Sequence, residues 1–331
     1  MTSAFAPGRV NLIGEHTDTT GGLALPMAVD LGTTVEGERG GSRVRLRSST
    51  EPQVVDLALR VDDPGSVEPG WGRYVAAVVA ELEPSVGFDG TVTTDLPVGA
   101  GLSSSAALEL AVALALGFDG TPRDLAALCQ RAEHRAVGVP CGVMDQLTSA
   151  SGVAGHALLL DCTTLDVTPV PLPDELEVVA VHSGEGRALA GSAYAERRAA
   201  VEAAEAVVGP LRLISDVGSL DGLEDPVLRR RARHVVTENA RVRDAVRALA
   251  SGSLDDLGQL LLESHASLAA DFEVSTPRLD ELVADLRARP GVFGARLTGA
   301  GFGGCAVALC RPGALDVGWR LLPSAAARVL A

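Results

Sequence analysis

The sequence predicts an α+β fold in two domains with the functional site in the cleft between them. Three features lead there. A chain of 331 residues exceeds the usual size of one domain. Its hydrophobic fraction is 47% with only 3% aromatic, so Ala, Val and Leu must build the cores, as suits mixed helices and sheet. Short strand-like runs are interleaved with helical stretches throughout, and no internal repeat or low-complexity tract interrupts them.

Taken in order, Val10, Leu12 and Ile13 suggest a short strand and Leu23 to Val29 the next. Between them lies a polar loop holding Glu15, His16 and Asp18, with Arg9 just before. A solvated charge cluster is the plain alternative. Apolar strands on both sides favour side chains that face a cleft, where carboxylates and imidazole suit the fixed hydroxyls of a sugar. From Thr33 to Leu59 alternating Val and Leu predict antiparallel strands turning at Gly40-Gly41. Trp71 to Leu82 reads as an amphipathic helix, its Trp71 either a core anchor or a stacking platform for a base.

The densest stretch follows. A Val- and Thr-rich strand, Gly90 to Thr94, runs through Pro97-Val98-Gly99-Ala100-Gly101-Leu102 into Ser103, Ser104, Ser105, Ala106 and Ala107. Leu108, Ala111, Val112, Ala115 and Leu116 then recur at helical spacing and predict a core-facing stripe. Gly99 and Gly101 carry no Cβ, so the backbone can approach a ligand closely. Three hydroxyls on the first turn of a helix, beside its unpaired N–H groups, make a phosphate-receiving geometry. A simple turn with a Ser N-cap is the alternative.

Pro122 to Val137 is the next helix, with Thr121 as N-cap and Glu133 near its end. In Gly138 to Gln146, Asp145 sits among Val143, Met144 and Leu147, half-buried, either a structural hydrogen-bonder or a base beside the cleft. Pro169, Pro171 and Pro173 mark the expected linker, dividing the chain into residues 1–170 and 171–331. Beyond it come a strand at Val178 to Val181 and a helix carrying Ser192, Tyr194, Arg197 and Arg198. A helix from Pro226 to Ala250 follows, whose Arg229, Arg230, Arg231 and Arg233 read as a solvated face. Two helices, Leu254 to Ala269 and Pro277 to Ala288, lead to a Gly-rich loop from Thr298 to Cys305. That loop lies between two strands, so it is no dinucleotide-binding loop.

Composition excludes several classes. Net charge is −15, against a sequence-independent nucleic-acid grip or an anionic membrane surface. All 28 basic residues are arginine, which excludes P-loop enzymes and protein kinases, both of which place a lysine on the nucleotide phosphates. Five cysteines without a C-x-x-C pair read as reduced thiols, and with no leader or spanning run the expected location is the cytoplasm.

Three stretches resemble one family. Gly8-Arg9-Val10-Asn11-Leu12-Ile13-Gly14-Glu15-His16-Thr17-Asp18 is similar to the galactokinase signature. Pro97 to Ala107 resembles the phosphate loop of the superfamily that also holds homoserine, mevalonate and phosphomevalonate kinases, and Leu297 to Leu309 its third, C-terminal Gly-rich motif. The resemblance implies the two-domain fold of that superfamily, with a ferredoxin-like C-terminal domain, and ATP-dependent, Mg²⁺-assisted phosphorylation of the anomeric hydroxyl of galactose. It places Asp145 as the catalytic aspartate and Arg9 as its paired cation. It places Glu15, His16, Asp18, Gly142 and Tyr194 on the sugar. ATP would lie on Gly99, Gly101, Leu102, Ser103, Ser104, Ser105 and Ala106, with Trp71 near the adenine. Mg²⁺ would lie on Ser104 or Ser105 with Glu133. The implied partners are the sugar and ATP alone, with no nucleic acid or membrane, on a monomer, a dimer being left open.

Such casting asks mainly for positioning and charge stabilisation, and a cation beside a carboxylate favours its charged form. Departures from the family pattern bear on which sugar is taken: Thr19-Thr20 stand where Tyr-Asn is usual, His182-Ser183 where Asn-Ser is, Gly186-Arg187 near a usual basic-His pair, and Ala195 after Tyr194. N-acetylgalactosamine, a uronic acid or arabinose is the alternative substrate, with Arg187 or His182 as the extra partner. A non-catalytic sugar sensor is the alternative class.

Overall fold

The computed structural model describes residues 1–97, 99–138, 141–186 and 190–330, and of residues 190–192 the backbone alone. Val98 of the phosphate loop, Val139, Pro140, Arg187 and the side chain of Ser192 lie outside the described residues.

Two long strands form the spine. β1 (Thr2–Ile13) pairs antiparallel with β2 (Leu23–Arg39), and both run well past the apolar segments that announced them. The extension passes through Ala, Gly, Pro and Thr, whose small side chains hide the strand pattern. β3 (Arg43–Ser48) and β4 (Val55–Ala58) pair antiparallel as expected. The turn at Gly40-Gly41, however, does not close a hairpin between β2 and β3. β5 (Phe88–Thr94) lies between them, antiparallel to β2 and parallel to β3. Gly37 and Gly90 are directly opposed there, and a Cβ on Gly37 would stand 2.6 Å from the Gly90 Cα. Only bare backbones fit that close crossing.

Four helices cover this sheet: α1 (Gly72–Leu82), α2 (Ser104–Ala115), α3 (Pro122–Val137) and α4 (Met144–Ser151). Thr121 caps α3 as anticipated, in a reciprocal capping box with Asp124. The stripe expected of α2 reaches the core at Ala111, Val112, Ala115 and Leu116, with Leu108 half-buried, and burial extends beyond it to Ala106, Ala107, Glu109, Leu110 and Ala113.

Of the expected linker, Pro173 alone lies in the crossing between the sheets. β6 (His156–Asp161) and β7 (Asp166–Pro171) make a hairpin that extends β2, with Pro169 and Pro171 in the strand opposite Leu158 and His156. An edge strand tolerates proline because its outward N–H groups need no ladder partner. The crossing to the second sheet falls instead between Pro171 and Glu177, where β8 (Glu177–His182) begins.

The second half is built from α5 (Ala190–Val208), α6 (Pro226–Ser251), α7 (Leu254–Ser267) with a π-helical turn at Leu268–Phe272, and α8 (Pro277–Arg287). These pack around an antiparallel sheet of order β11-β8-β10-β9, with β9 at Val292–Thr298, β10 at Cys305–Cys310 and β11 at Trp319–Leu321. The chain then returns: β12 (Arg328–Leu330) pairs with β1, so the last residues belong to the first sheet and not to the second half. One apolar core joins the halves, because Val242 and Ala245 of α6 and Val307 and Leu309 of β10 pack into the same cluster as β1, β2 and α2.

The arginine run of α6 is not uniformly solvated. Arg231 is 3% exposed. Its guanidinium bonds the Asp271 carbonyl and pairs with Glu273, just past α7. Helical periodicity carries every third or fourth residue of such a run inward, and a partner beyond α7 makes that tolerable.

Candidate active site

The loop after β1 is shaped by its own hydroxyl and then pinned by the second half. Thr17 Oγ1 bonds the carbonyls of Gly14 at 2.9 Å and Leu23 at 2.7 Å. His16 adopts a left-handed backbone, φ +63°. From α6, Glu238 accepts the Gly14 N–H at 2.9 Å and His234 Nε2 lies 3.0 Å from the Glu15 carbonyl. Burial is followed by nearby Arg241 and His234 in setting the Glu238 carboxyl, which ends low, at about 2.

The three polar residues of this loop occupy different places. Glu15 is buried and points toward the third motif: its carboxylate takes the Gly299 N–H and the Asn11 amide, with Arg296 Nη2 at 3.5 Å. Burial raises it to about 7 against the pull of Arg296 and Arg9. His16 packs on Phe272, ring centroids 4.6 Å apart, and lies 5.7 Å from Tyr194 of α5. Burial, with His234 close by, lowers it to about 3, so the imidazole is neutral. Asp18 begins a single 3₁₀ turn and is raised to about 6, first by burial and then by Asp145. It is pressed against Gly142, where a Cβ would fall 1.7 Å from Asp18 Oδ2. Any side chain at position 142 would displace that carboxylate.

Across the cavity, Arg9 meets Asp145 on the first turn of α4 in a two-pronged pair, Nε to Oδ1 and Nη2 to Oδ2, both 2.7 Å. Arg9 Nη1 also donates to the Gly101 carbonyl at 2.7 Å. Ser103 does not cap α2 with its side chain. It takes φ +60° and donates to Asp145 Oδ2 at 2.5 Å. Ser105 donates to Glu133 Oε1 at 2.8 Å. Burial and then Asp145 raise the Glu133 carboxyl.

These groups line one cavity of about 450 Å³. It gathers Arg9, Glu15, His16, Asp18, Gly99, Gly101, Ser103, Ser104, Ser105, Glu133, Gly142, Asp145 and Tyr194. Leu102 and Ala106 are instead buried in the core, Leu102 giving only its carbonyl to the Arg9 N–H at 3.1 Å. Trp71 is not brought to the cavity. Its half-buried indole donates to the Gln53 carbonyl at 3.2 Å and packs on the main core.

Residues 2–39 match the galactokinase galactose-binding signature, residues 73–153 the GHMP kinases N terminal domain and residues 245–320 the GHMP kinases C terminal. The galactokinase of Chloroflexus aurantiacus is 43% identical over 330 residues, covering 92% of this chain and 83% of that protein. The human galactokinase is 44% identical over 323 residues, covering 92% and 82%. The chain belongs to the galactokinase family. Among solved structures, Lactococcus lactis galactokinase complexed with galactose superposes with a TM-score of 0.88 at 33% identity, over 99% of this chain and 95% of that one. A mevalonate kinase, at 20% identity and TM-score 0.70 over 94% and 92%, shares the fold.

Sequence reading of this galactokinase-family chain missed several contributors. Gly299 and Ala300 of the third motif, together with Val137, Cys141 and Met144, also line the cavity. Arg296, His234 and Glu238, all fully buried, fix the loop after β1 from behind. One signal for them was present: Arg296 stands inside the apolar run Ala295 to Leu297, and a charge in a buried strand needs a buried partner. His182, a candidate for an extra substrate group, accepts the Gly184 N–H on its Nδ1 at 3.0 Å and so serves its own loop.

Proposed function

We infer that this protein is an ATP-dependent sugar 1-kinase that converts galactose and ATP to galactose 1-phosphate and ADP. The observation that carries the reading is the Arg9–Asp145–Ser103 cluster at the join of two walls. One wall is the loop of Glu15, His16 and Asp18; the other is the loop and helix N-terminus of Gly99 to Ser105.

The sugar lies on Asp18, His16 and the Gly142 backbone, with Tyr194 closing the pocket from α5 and Glu15 supporting the loop through Gly299. The ATP phosphates lie against the N-terminus of α2, where unpaired N–H groups and serine hydroxyls receive negative charge without lysine. Asp145 faces the anomeric hydroxyl and accepts its proton or its developing charge. Arg9 holds the Asp145 carboxylate in plane and offsets charge on the transferring phosphoryl group. Alignment does most of the work, since phosphoryl transfer asks little covalent chemistry of the protein.

The residues present fit a magnesium ion. Among the described residues, Glu15, Asp18, Glu133 and Asp145 line the cavity with one guanidinium, that of Arg9, and the donors beside the phosphate loop are hard oxygens. Among the described residues no group of three His, Cys, Asp or Glu side chains could hold a metal alone. That suits a cation held by one carboxylate, Glu133, one hydroxyl, Ser104 or Ser105, and substrate phosphates. When bound, it supplies neutralisation of the β- and γ-phosphate charge.

No helix among the described residues is long and apolar enough to cross a membrane. A reducing cytoplasm suits Cys129, Cys141, Cys162 and Cys310, which stand as thiols in the fold. Coupled ADP release with Mg·ATP across galactose, N-acetylgalactosamine, galacturonic acid and arabinose tests the assignment. The expected result is turnover with galactose at the highest kcat/KM. Equal or better turnover with another sugar overturns the substrate, and binding of both ligands without turnover overturns the enzyme.

A further inference from the structure

Behind the phosphate loop lies a buried polar cluster that phosphoryl transfer as described above does not use. Gln146, on the first turn of α4, and Glu109, in the middle of α2, are both fully buried. Gln146 Nε2 donates to Glu133 Oε2 and, at 3.3 Å, to Glu109 Oε2. One amide nitrogen thereby divides its two N–H groups between carboxyls from two other helices. The Cys141 thiol reaches the same Glu133 oxygen at 3.3 Å, while Glu133 Oε1 takes the Ser105 hydroxyl.

This arrangement is costly. An amide and a carboxyl taken from water must recover their lost hydrogen bonds inside the protein. Here the recovery is incomplete, since Glu109 Oε1 and Gln146 Oε1 make no hydrogen bond among the described residues. Stability alone would be served better by Leu or Met in the space between α2, α3 and α4. Burial, and then the charge of Glu133, push the Glu109 carboxyl well above the usual carboxylate range. Gln146 is also the chain neighbour of Asp145. From one helical turn, Asp145 points to Arg9 and the cavity while Gln146 points to Glu133.

We propose that Gln146 is a positioning residue whose amide, anchored on Glu109, locks the orientation of the Glu133 carboxylate and its spacing from Asp145. With Oε2 tied to the amide and the thiol, the carboxylate can turn only its Oε1 edge to Ser105 and the cavity. Carboxylate and hydroxyl then present a preformed oxygen corner to the cation that accompanies ATP. The inference rests on the reading that Glu133 helps hold that cation.

The test uses the full chain with Gln146→Met, which keeps the side chain's length and removes both N–H groups. Mn²⁺ is titrated by electron paramagnetic resonance in the presence of a non-hydrolysable ATP analogue, and kcat is followed against free Mg²⁺ at saturating galactose. The expected result is a rise of about tenfold in the Mn²⁺ dissociation constant and in half-saturating Mg²⁺, with galactose affinity within about twofold of wild type. Should Gln146→Met fail to fold, Gln146→Asn, which withdraws the amide by one methylene, carries the same expectation. Unchanged metal dependence with a lowered Tm overturns the proposal and leaves Gln146 a packing residue. Glu133→Gln separates the two levels: if it leaves Mn²⁺ affinity unchanged, the cation reading of Glu133 itself has failed.

Discussion

The two walls of the cavity are held in place in different ways. The phosphate side keeps its groups tied by short charged hydrogen bonds: Arg9 to Asp145 twice, Ser103 to Asp145, Ser105 to Glu133. Its residues all come from the first half of the chain. The wall proposed for the sugar is braced by the second half, through Arg296, His234, Glu238 and Phe272. There burial dominates, raising Glu15 to about 7 and Asp18 to about 6 and lowering His16 to about 3. On the proposed assignment, the wall of tied carboxylates meets the phosphates and the wall of Asp18 and His16 meets the sugar hydroxyls, which can arrive as donors.

Breaking the phosphate side should cost the most. Asp145→Asn is expected to lower kcat by about 10²–10⁴-fold while galactose affinity stays within about threefold, measured by ADP release and calorimetry. Arg9→Met should follow with a loss of about 10²–10³-fold, because the carboxylate loses its orientation and the phosphoryl group its counter-charge. A small effect from either would erase the difference between the walls.

The sugar side should show itself in pH. Asp18 with a value of about 6 is mostly ionised at pH 7 and about one-tenth ionised at pH 5, so KM for galactose should rise about tenfold over that interval. Asp18→Asn should have a high KM at pH 7 and lose most of this dependence. Glu15 gives a smaller, structural effect. Its folded value is raised above that of the unfolded chain, so the stability it contributes is full below the ordinary carboxyl range and is lost as pH rises through about 7. Glu15→Gln should therefore gain in Tm relative to wild type as pH is taken from 5 to 8, read by thermal denaturation. A constant difference would place the Glu15 charge elsewhere.

How legible each wall was in the sequence differs in the same way. Arg9, Ser103, Ser105 and Asp145 were singled out in dense local stretches and Glu133 through the family resemblance, and all reach the cavity. The brace of the sugar side was opaque because it depends on contacts between residues more than 200 positions apart, such as Glu238 to Gly14 and His234 to Glu15. The helices that were expected lie close to their bounds, since capping and 3.6-residue periodicity are local, whereas the short α4 that carries Asp145 was not foreseen. The strand order was not: β5 entering between β2 and β3, and β12 returning to β1, are decisions of tertiary pairing that no local pattern records. Pro169 and Pro171 misled for a related reason, since a strand edge and a linker both lack ladder partners for their N–H groups.

The most direct measurement is the proton balance of galactose binding, obtained by calorimetry in buffers of different ionisation enthalpy at pH 6 and pH 8. If the sugar side waits partly neutral, hydroxyl donors arriving at Asp18 must expel its proton. About half a proton should then be released per galactose at pH 6 and close to none at pH 8. Binding with no proton release at pH 6 would contradict the account, because Asp18 would then be ionised before the sugar arrives.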